Sequence, residues 1–310
     1  MRLRSPATDG VGMKQQPKGN SVHRARPLLG TMVDIRAGGR ASRARLNLAV
    51  DQAFAAIEQV QRLMSYHDPA SELSRLNRDA VRSAQQVDPH TYTVLQAALR
   101  FARLGEGAFD PCVARYLETW AYLPDTSNVR RDGDEMDVCA DSAANWRDIE
   151  LMTRRRVRFR RPLRLDLGGI AKGYAVDLAV QTLQQIGIQN IIVNAGGDLR
   201  LAGTQMYPVQ IRHPRAPDLV AHSLNLRNAA IATSATCFSR RRFAGREVSP
   251  LVDARTGDAY VGDDSISVCA NDCMTADALT KLVLFAPAPV AERALTQCDA
   301  QAIMLRTAIC

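Results

Sequence analysis

The sequence has no stretch approaching the roughly 20 consecutive apolar residues needed to span a bilayer, so no transmembrane segment is expected. Residues 1–20 carry Gly, Pro, Gln and charge, with no apolar core and no small-residue cleavage site, so the sequence as written does not open on a secretory signal. The expected compartment is therefore cytoplasmic, or periplasmic if Met1 is not the true start; Met13 is a second candidate. Histidines are few, five in all, and scattered. Neither His-Glu-x-x-His nor Gly-x-Ser-x-Gly occurs, which leaves zinc-hydrolase and serine-hydrolase chemistry without support. The seven cysteines are odd in number and show no repeated spacing. Cys269 and Cys273, the close pair, lack the second half of a zinc site, so buried reduced thiols are expected.

What is present is globular: 310 residues, 46% hydrophobic and 23% charged, enough for one large domain or two intimate ones. The net charge of +8 invites a nucleic-acid reading. Its location argues against one. Residues 1–46 hold ten basic side chains against Asp9 and Asp34, which accounts for the whole excess and leaves the rest of the chain neutral. A nucleic-acid-binding body would carry its basic surface over the fold. The run Arg154–Arg161, with Val157 and Phe159 alternating with Arg, reads as an exposed hairpin strand with a solvated face.

Along the chain, Gly30–Ile35 alternates as a strand. Ser42 then precedes Leu46, Val50, Ala53, Phe54, Ile57, Val60 and Met64, a three-and-four spacing that predicts an amphipathic helix ending near His67-Asp68-Pro69. A shorter helix follows Asp88-Pro89 and stops before Gly105. Residues 124–145 read as loop. A hairpin is expected from 149–151 and 157–159, a strand at 163–167 and a helix at 171–186. Strands are expected at 191–193, 199–202, 208–212, 223–227, 229–232, 250–253 and 265–269. Helices at 274–285 and 289–295 and a strand at 302–305 complete the pattern. Strands outnumber helices without strict alternation, which predicts an α+β fold with mixed or antiparallel sheets rather than a doubly wound one. The expected organisation is a disordered basic leader over 1–22 and one domain over 23–310.

Three segments could carry chemistry. In Asp166-Leu167-Gly168-Gly169-Ile170-Ala171-Lys172-Gly173-Tyr174-Ala175-Val176-Asp177, two glycines permit close backbone approach before a helix whose first amides are free, a place for phosphate with Lys172 as added cation. The same residues also make an ordinary strand-to-helix turn. Neither the Walker loop nor the Gly-x-Gly-x-x-Gly fingerprint is satisfied. Asn194-Ala195-Gly196-Gly197-Asp198 reads as a tight turn more readily than as a ligand site. Asp277 and Thr280 share one helical face and offer hard oxygen donors of the kind magnesium prefers, though an Asp near a helix start commonly serves the helix itself.

Taken in order, these pieces resemble the ApbE-type FAD:protein FMN transferases. The resemblance runs from about His23 to Leu305. It is carried by Leu29-Gly30-Thr31, Met64–Asn77, Gly107–Asp110, the Asp166–Asp177 segment, Asn194–Asp198, Ala232–Ser234, Asp253–Gly257 and Thr275–Leu279. It implies a magnesium-dependent transferase that moves the FMN half of FAD onto a Thr or Ser hydroxyl of a target protein and releases AMP. It also implies an α+β flavin transferase fold with helices packed around a flavin cleft.

Carried over residue by residue, the resemblance implies that Leu29 and His67 line the isoalloxazine and that Ala108, Phe109 and Asp110 contact the flavin. Lys172 would contact the FAD, and Thr233 and Ser234 border the same cleft. Asp277 would hold the magnesium together with the backbone at Gly169, and Asp277 and Lys172 would form the catalytic pair. For the acceptor's proton, Asp166 and Asp177 are the candidate bases by their place in sequence alone, and Asp166 equally suits a structural partner for the turn. The chain departs from the family pattern in three places: His67 stands where Tyr is common, Pro250 where His is frequent, and Lys281 where a metal-binding Thr is usual. Thr280, next to it, is the substitute donor, or the Lys281 ammonium supplies part of the metal's role. The chain contains no Ser/Thr-Gly-Ala-Ser/Thr acceptor, so the partner is expected to be a separate electron-transfer flavoprotein. FAD pyrophosphatase activity and non-catalytic flavin binding are the alternatives.

Overall fold

A tight hairpin opens the described chain. Strand β1 (Asn20–Leu28) pairs antiparallel with β2 (Thr31–Gly39), and the turn between them holds Leu29 and Gly30 in the left-handed region, with φ of 55° and 72°. Two positive φ values in a two-residue turn match the twist of the flanking strands. The computed structural model describes residues 19–125, 144–237 and 239–306. Residues 1–18 of the expected leader, and most of the expected 124–145 loop, lie outside these. Asn20, Ser21 and Val22, placed in the leader by the sequence reading, belong to β1, where Val22 is buried.

Ser42 then caps helix α1 (Arg43–Met64) by accepting the Arg45 N–H, and the apolar stripe from Leu46 to Met64 is buried as its spacing predicts. Helix α2 (Glu72–Asp79), capped by Ser71, was not anticipated, nor was α4 (Ala114–Thr119). At eight and six residues they are too short to display a helical period. Between them lie strand β3 (Gln85–Gln86) and helix α3 (Pro89–Leu104), with Asp88 as its cap and Pro89 in its first turn. Strands β4 (Ile149–Met152) and β5 (Arg156–Phe159) form the expected hairpin. Val157 and Phe159 are buried while Arg154, Arg155, Arg156, Arg158, Arg160 and Arg161 face solvent.

Helix α5 (Ala171–Gln185) leads into β6 (Asn190–Ala195) and β7 (Asp198–Ala202). A protruding hairpin follows, β8 (Tyr207–His213) and β9 (Ala216–Leu226), the second strand longer than the 223–227 expected and largely exposed. Next come β10 (Ala230–Ala235), the short pairs β11 (Arg241–Phe243) with β12 (Arg246–Val248) and β13 (Val252–Asp253) with β14 (Asp258–Ala259), and β15 (Ser265–Ala270). The 250–253 strand shrinks to two residues, since Pro250 has no N–H to give a ladder. Helices α6 (Cys273–Phe285) and α7 (Ala288–Gln297) and strand β16 (Gln301–Leu305) end the fold.

Seven strands form one sheet in the order β1-β2-β6-β7-β10-β15-β16, and every pairing among the described residues is antiparallel. Helix α1 lies against β1 and β2, α5 against β6 and β7, and α6 against β10 and β15, so the core fills the space between one sheet face and a layer of three helices. The architecture is α+β, as expected.

One expected strand does not form. Residues 163–167 form no strand, although Leu163, Leu165 and Leu167 alternate inward and are buried. Their backbone partners come from elsewhere: the Asn77 side chain pairs with both the N–H and the C=O of Leu165, at 2.8 and 2.9 Å, and the Pro111 carbonyl accepts the Asp166 N–H at 2.7 Å. A side-chain amide here does the work of a neighbouring strand.

Candidate active site

Helices α5 and α6 cross at Gly173. A Cβ at that position would lie 2.4 Å from the Cys273 carbonyl oxygen, so only glycine permits the approach. Because the helices touch here, the Gly173 N–H, one of the free donors of the first turn of α5, reaches Oδ2 of Asp277 at 3.2 Å. Asp177, one turn further along α5, accepts the N–H groups of Cys273 and Met274 at 2.9 Å each and pairs with Arg200 at 2.7 Å. Its carboxylate thus fixes the N-terminus of α6, together with the cap from Asp272 to Thr275. Burial pushes the Asp177 pKa up to about 6, against the pull of Arg200 and the two amides.

Four charges gather beside this crossing. The Lys172 ammonium lies 2.9 Å from Oδ2 of Asp198 and 3.6 Å from Oδ2 of Asp277. The Lys281 ammonium forms an ion pair with Oδ1 of Asp277 and donates to the Asp277 carbonyl at 3.0 Å. The carboxylates are the inner members, with 6% and 1% of their side chains exposed, while Lys172 is 33% exposed. Positive charge therefore faces outward, the polarity that suits an anion. Burial opposes the Lys172 charge, but Asp198 and Asp277 outweigh it and hold its pKa above the ordinary lysine value. Burial and the neighbouring Asp277 raise Asp198 in turn.

The structure brings together several of the residues expected at the site. Lys172 and Asp277 meet directly, and the Gly168-Gly169 turn is adjacent. A Cβ on Gly169 would stand 3.5 Å from the Phe109 ring and 3.7 Å from Cε of Lys281. Ala108 and Phe109 are buried, and Phe109 packs edge-on against Phe101. The Asp110 carboxylate is turned inward: it accepts the N–H groups of Cys112 at 2.8 Å and Trp146 at 3.2 Å, and burial raises its pKa. His67 is exposed in the loop after α1 and acts electrostatically on Asp166, whose pKa is raised by burial against the Gly168 N–H, Lys172 and His67. Leu29 sits at the β1–β2 turn, its N–H on the Gln61 side chain at 2.6 Å. That hairpin reaches the second glycine motif through Thr31, which fills the space a Cβ on Gly196 would need.

Thr233 and Ser234 separate, because neighbours in a strand point to opposite faces. Ser234 turns toward α6 and bonds the Thr280 hydroxyl at 2.7 Å, while Thr233 bonds Ser267 at 2.7 Å on β15. Asp198 is the site residue that sequence reasoning missed. The Gly196-Gly197 turn, with φ of 62° and 106°, is the tight turn expected, and it delivers Asp198 at the start of β7 as the partner of Lys172. Asp253 and Arg255 of the Asp-x-Arg-Thr-Gly motif pair with each other at 2.8 Å, and Arg255 also bonds the Phe285 carbonyl at the end of α6. That motif clamps a helix C-terminus.

The magnesium implied by the resemblance does not fit these groups as arranged. Oδ1 and the carbonyl of Asp277 face the Lys281 ammonium, and Oδ2 faces Gly173 and Lys172. Thr280 is fully buried, its hydroxyl engaged by the Asp277 carbonyl at 2.7 Å and by Ser234.

The fold is that of the flavin transferases of known structure. The flavin transferase ApbE of Vibrio cholerae superposes with a TM-score of 0.72 at 25% identity, covering 92% of this chain and 93% of that one. The ApbE protein of Thermotoga maritima superposes with a TM-score of 0.79 at 26% identity, covering 93% and 97%. In sequence, the FAD:protein FMN transferase of Vibrio cholerae serotype O1 is 30% identical over 270 residues, 83% of this chain and 79% of that protein. The ApbE family model matches residues 29–304, and the chain belongs to that family.

Proposed function

We propose that this protein is an FAD:protein FMN transferase, taking FAD and attaching its FMN half to a Thr or Ser hydroxyl of a separate acceptor flavoprotein of an electron-transfer system. The observation that carries the reading is the Lys172 ammonium held between Asp198 and Asp277 beside the Gly168-Gly169 turn, in a chain 30% identical to an enzyme of that name. A diphosphate brings negative charge that must be neutralised and held in line with the incoming oxygen. Lys172 supplies positive charge for it at the N-terminus of α5, where the helix dipole adds to that charge, and the glycines let the backbone approach. Phe109, beside the same turn, offers the flavin an apolar edge.

In the transfer, the acceptor oxygen bonds to the FMN phosphorus and the bridging P–O bond breaks, so that AMP leaves with the bridging oxygen. The acceptor proton needs a base. Asp177 is committed to Arg200 and the α6 amides, whereas Asp166 accepts from backbone N–H groups of its own turn, that of Gly168 at 3.1 Å and that of Leu167. Asp166, its pKa raised by burial, is the base in this reading. The magnesium expected from the resemblance is given no seat at Asp277, for the reasons of geometry above.

The test is mass spectrometry of a candidate acceptor domain incubated with the protein and FAD, with AMP measured in parallel. A mass gain equal to FMN with matching AMP, both lost in Asp277→Ala, is the expected outcome. AMP and free FMN without acceptor modification would instead mean hydrolysis, and FAD binding without either product a carrier.

A further inference from the structure

Of the three groups expected to hold a metal, Asp277 and Gly169 lie against the side chain of Lys281, and Thr280 bonds the same Asp277 carbonyl that the Lys281 ammonium does. Its ammonium rests on the carboxylate and carbonyl of Asp277, one turn earlier on α6, and its Cε runs past Gly169 within 3.7 Å of where a Cβ would stand. We infer that Lys281 is the resident cation of the Asp277 carboxylate, and that this chain binds the diphosphate of its nucleotide substrate without a divalent metal at that position. The ligand in this inference rests on the FAD reading; the exclusion of the metal does not.

The physical grounds are charge and space. Lys172 and Lys281 balance Asp198 and Asp277, so the buried carboxylates are already neutralised. A divalent ion could reach Oδ1 of Asp277 only by displacing the Lys281 ammonium and so breaking a largely buried ion pair. Magnesium also demands near-octahedral oxygen donors and keeps several of its waters. Cε of Lys281 lies 3.7 Å from where a Cβ on Gly169 would stand, and the Thr280 hydroxyl is occupied by Ser234 and the Asp277 carbonyl. A lysine is a point charge on a flexible stem and suits a position four residues from its carboxylate on the same helical face.

The experiment titrates Mn2+ into the flavin-free full-length protein and follows the free-ion signal by electron paramagnetic resonance. The wild type should bind Mn2+ at least about tenfold more weakly than Lys281→Thr, a difference of about 1.4 kcal/mol. The gain should vanish in Lys281→Thr combined with Asp277→Asn, and Lys281→Arg should stay as metal-free as the wild type. FAD binding, read by flavin fluorescence, should be alike for the wild type in EDTA and in magnesium, and about tenfold weaker in EDTA for Lys281→Thr. Equal Mn2+ binding by wild type and Lys281→Thr, whether tight or absent, overturns the inference, and so does wild-type FAD affinity that rises about tenfold with magnesium. If FAD binds in neither buffer, the transferase reading fails, while the Mn2+ titration still decides the role of Lys281.

Discussion

Lys172 is the most exposed of the four charges at the α5–α6 crossing, and two buried carboxylates depend on it. Replacing it with Met leaves Asp198 and Asp277 sharing Lys281 alone. Breaking a buried pair costs about 3–5 kcal/mol, and the partial exposure of Lys172 brings the expected loss to about 2 kcal/mol. Urea denaturation checks that figure, and flavin fluorescence should show FAD affinity falling at least about tenfold. Asp177 yields a prediction in pH. Its folded pKa of about 6 lies above the unfolded value near 3.9, so folding favours its protonated form. Its contribution is therefore fully present below about pH 4 and is lost as pH rises through about 6, an amount of about 3 kcal/mol. The stability difference between wild type and Asp177→Asn should narrow or reverse by that amount between these limits in denaturation series; a difference that does not change with pH would refute the assignment.

At the scale of elements, the site depends on how closely α5 and α6 approach. Gly173→Ala sets a methyl group against the Cys273 carbonyl and the Met274 backbone, atoms that cannot move without separating the helices. The expected cost is about 3 kcal/mol, with loss of the Gly173 to Asp277 hydrogen bond and of FAD binding. Gly245→Ala is the control: nothing lies within 4 Å of its Cβ position, and the penalty is the positive φ of 80° alone, about 1 kcal/mol. Thermal unfolding of the two variants should rank them in that order. The N-terminus of α6 is held by Asp272 and Asp177, and its C-terminus by Arg255 on the Phe285 carbonyl. Asp277 is thereby fixed on a helix restrained at both ends, which is what an orienting carboxylate needs.

Across the whole molecule, one sheet face carries the helices and the sheet edges are β1 and β16. Strand β15 is buried along nearly its whole length because β10 and β16 flank it and α6 covers it. A chain ending at Asp299 would expose the apolar edge Ser265–Ala270 to other molecules. Such a truncation is expected to aggregate in size-exclusion chromatography although every site residue is retained. No described helix is long and apolar enough to cross a membrane.

Much of this was legible in the order of residues. The stripe from Leu46 to Met64 specified α1, the absence of strict strand–helix alternation specified α+β, and the glycines at 168, 169, 196 and 197 marked the turns, because local periodicity and backbone freedom are properties of neighbouring residues. The short helices α2 and α4 and the irregular 163–167 segment were not legible, since about two helical turns are too few to fix a period and the partners of Leu165 come from Asn77, far away in sequence. The site was half visible. Lys172 and Asp277 stood out as a cation after a glycine turn and a carboxylate at a helix start. Asp198 looked like part of a turn, and the separation of Thr233 from Ser234 depended on which sheet face meets α6. Residue identity and spacing determined which groups were available; the crossing of α5 and α6 decided that Lys281, rather than a free hydroxyl, fills the space beside Asp277. Charge pairing in the interior depends on distances of a few ångströms between residues about a hundred positions apart, and only the tertiary structure sets those.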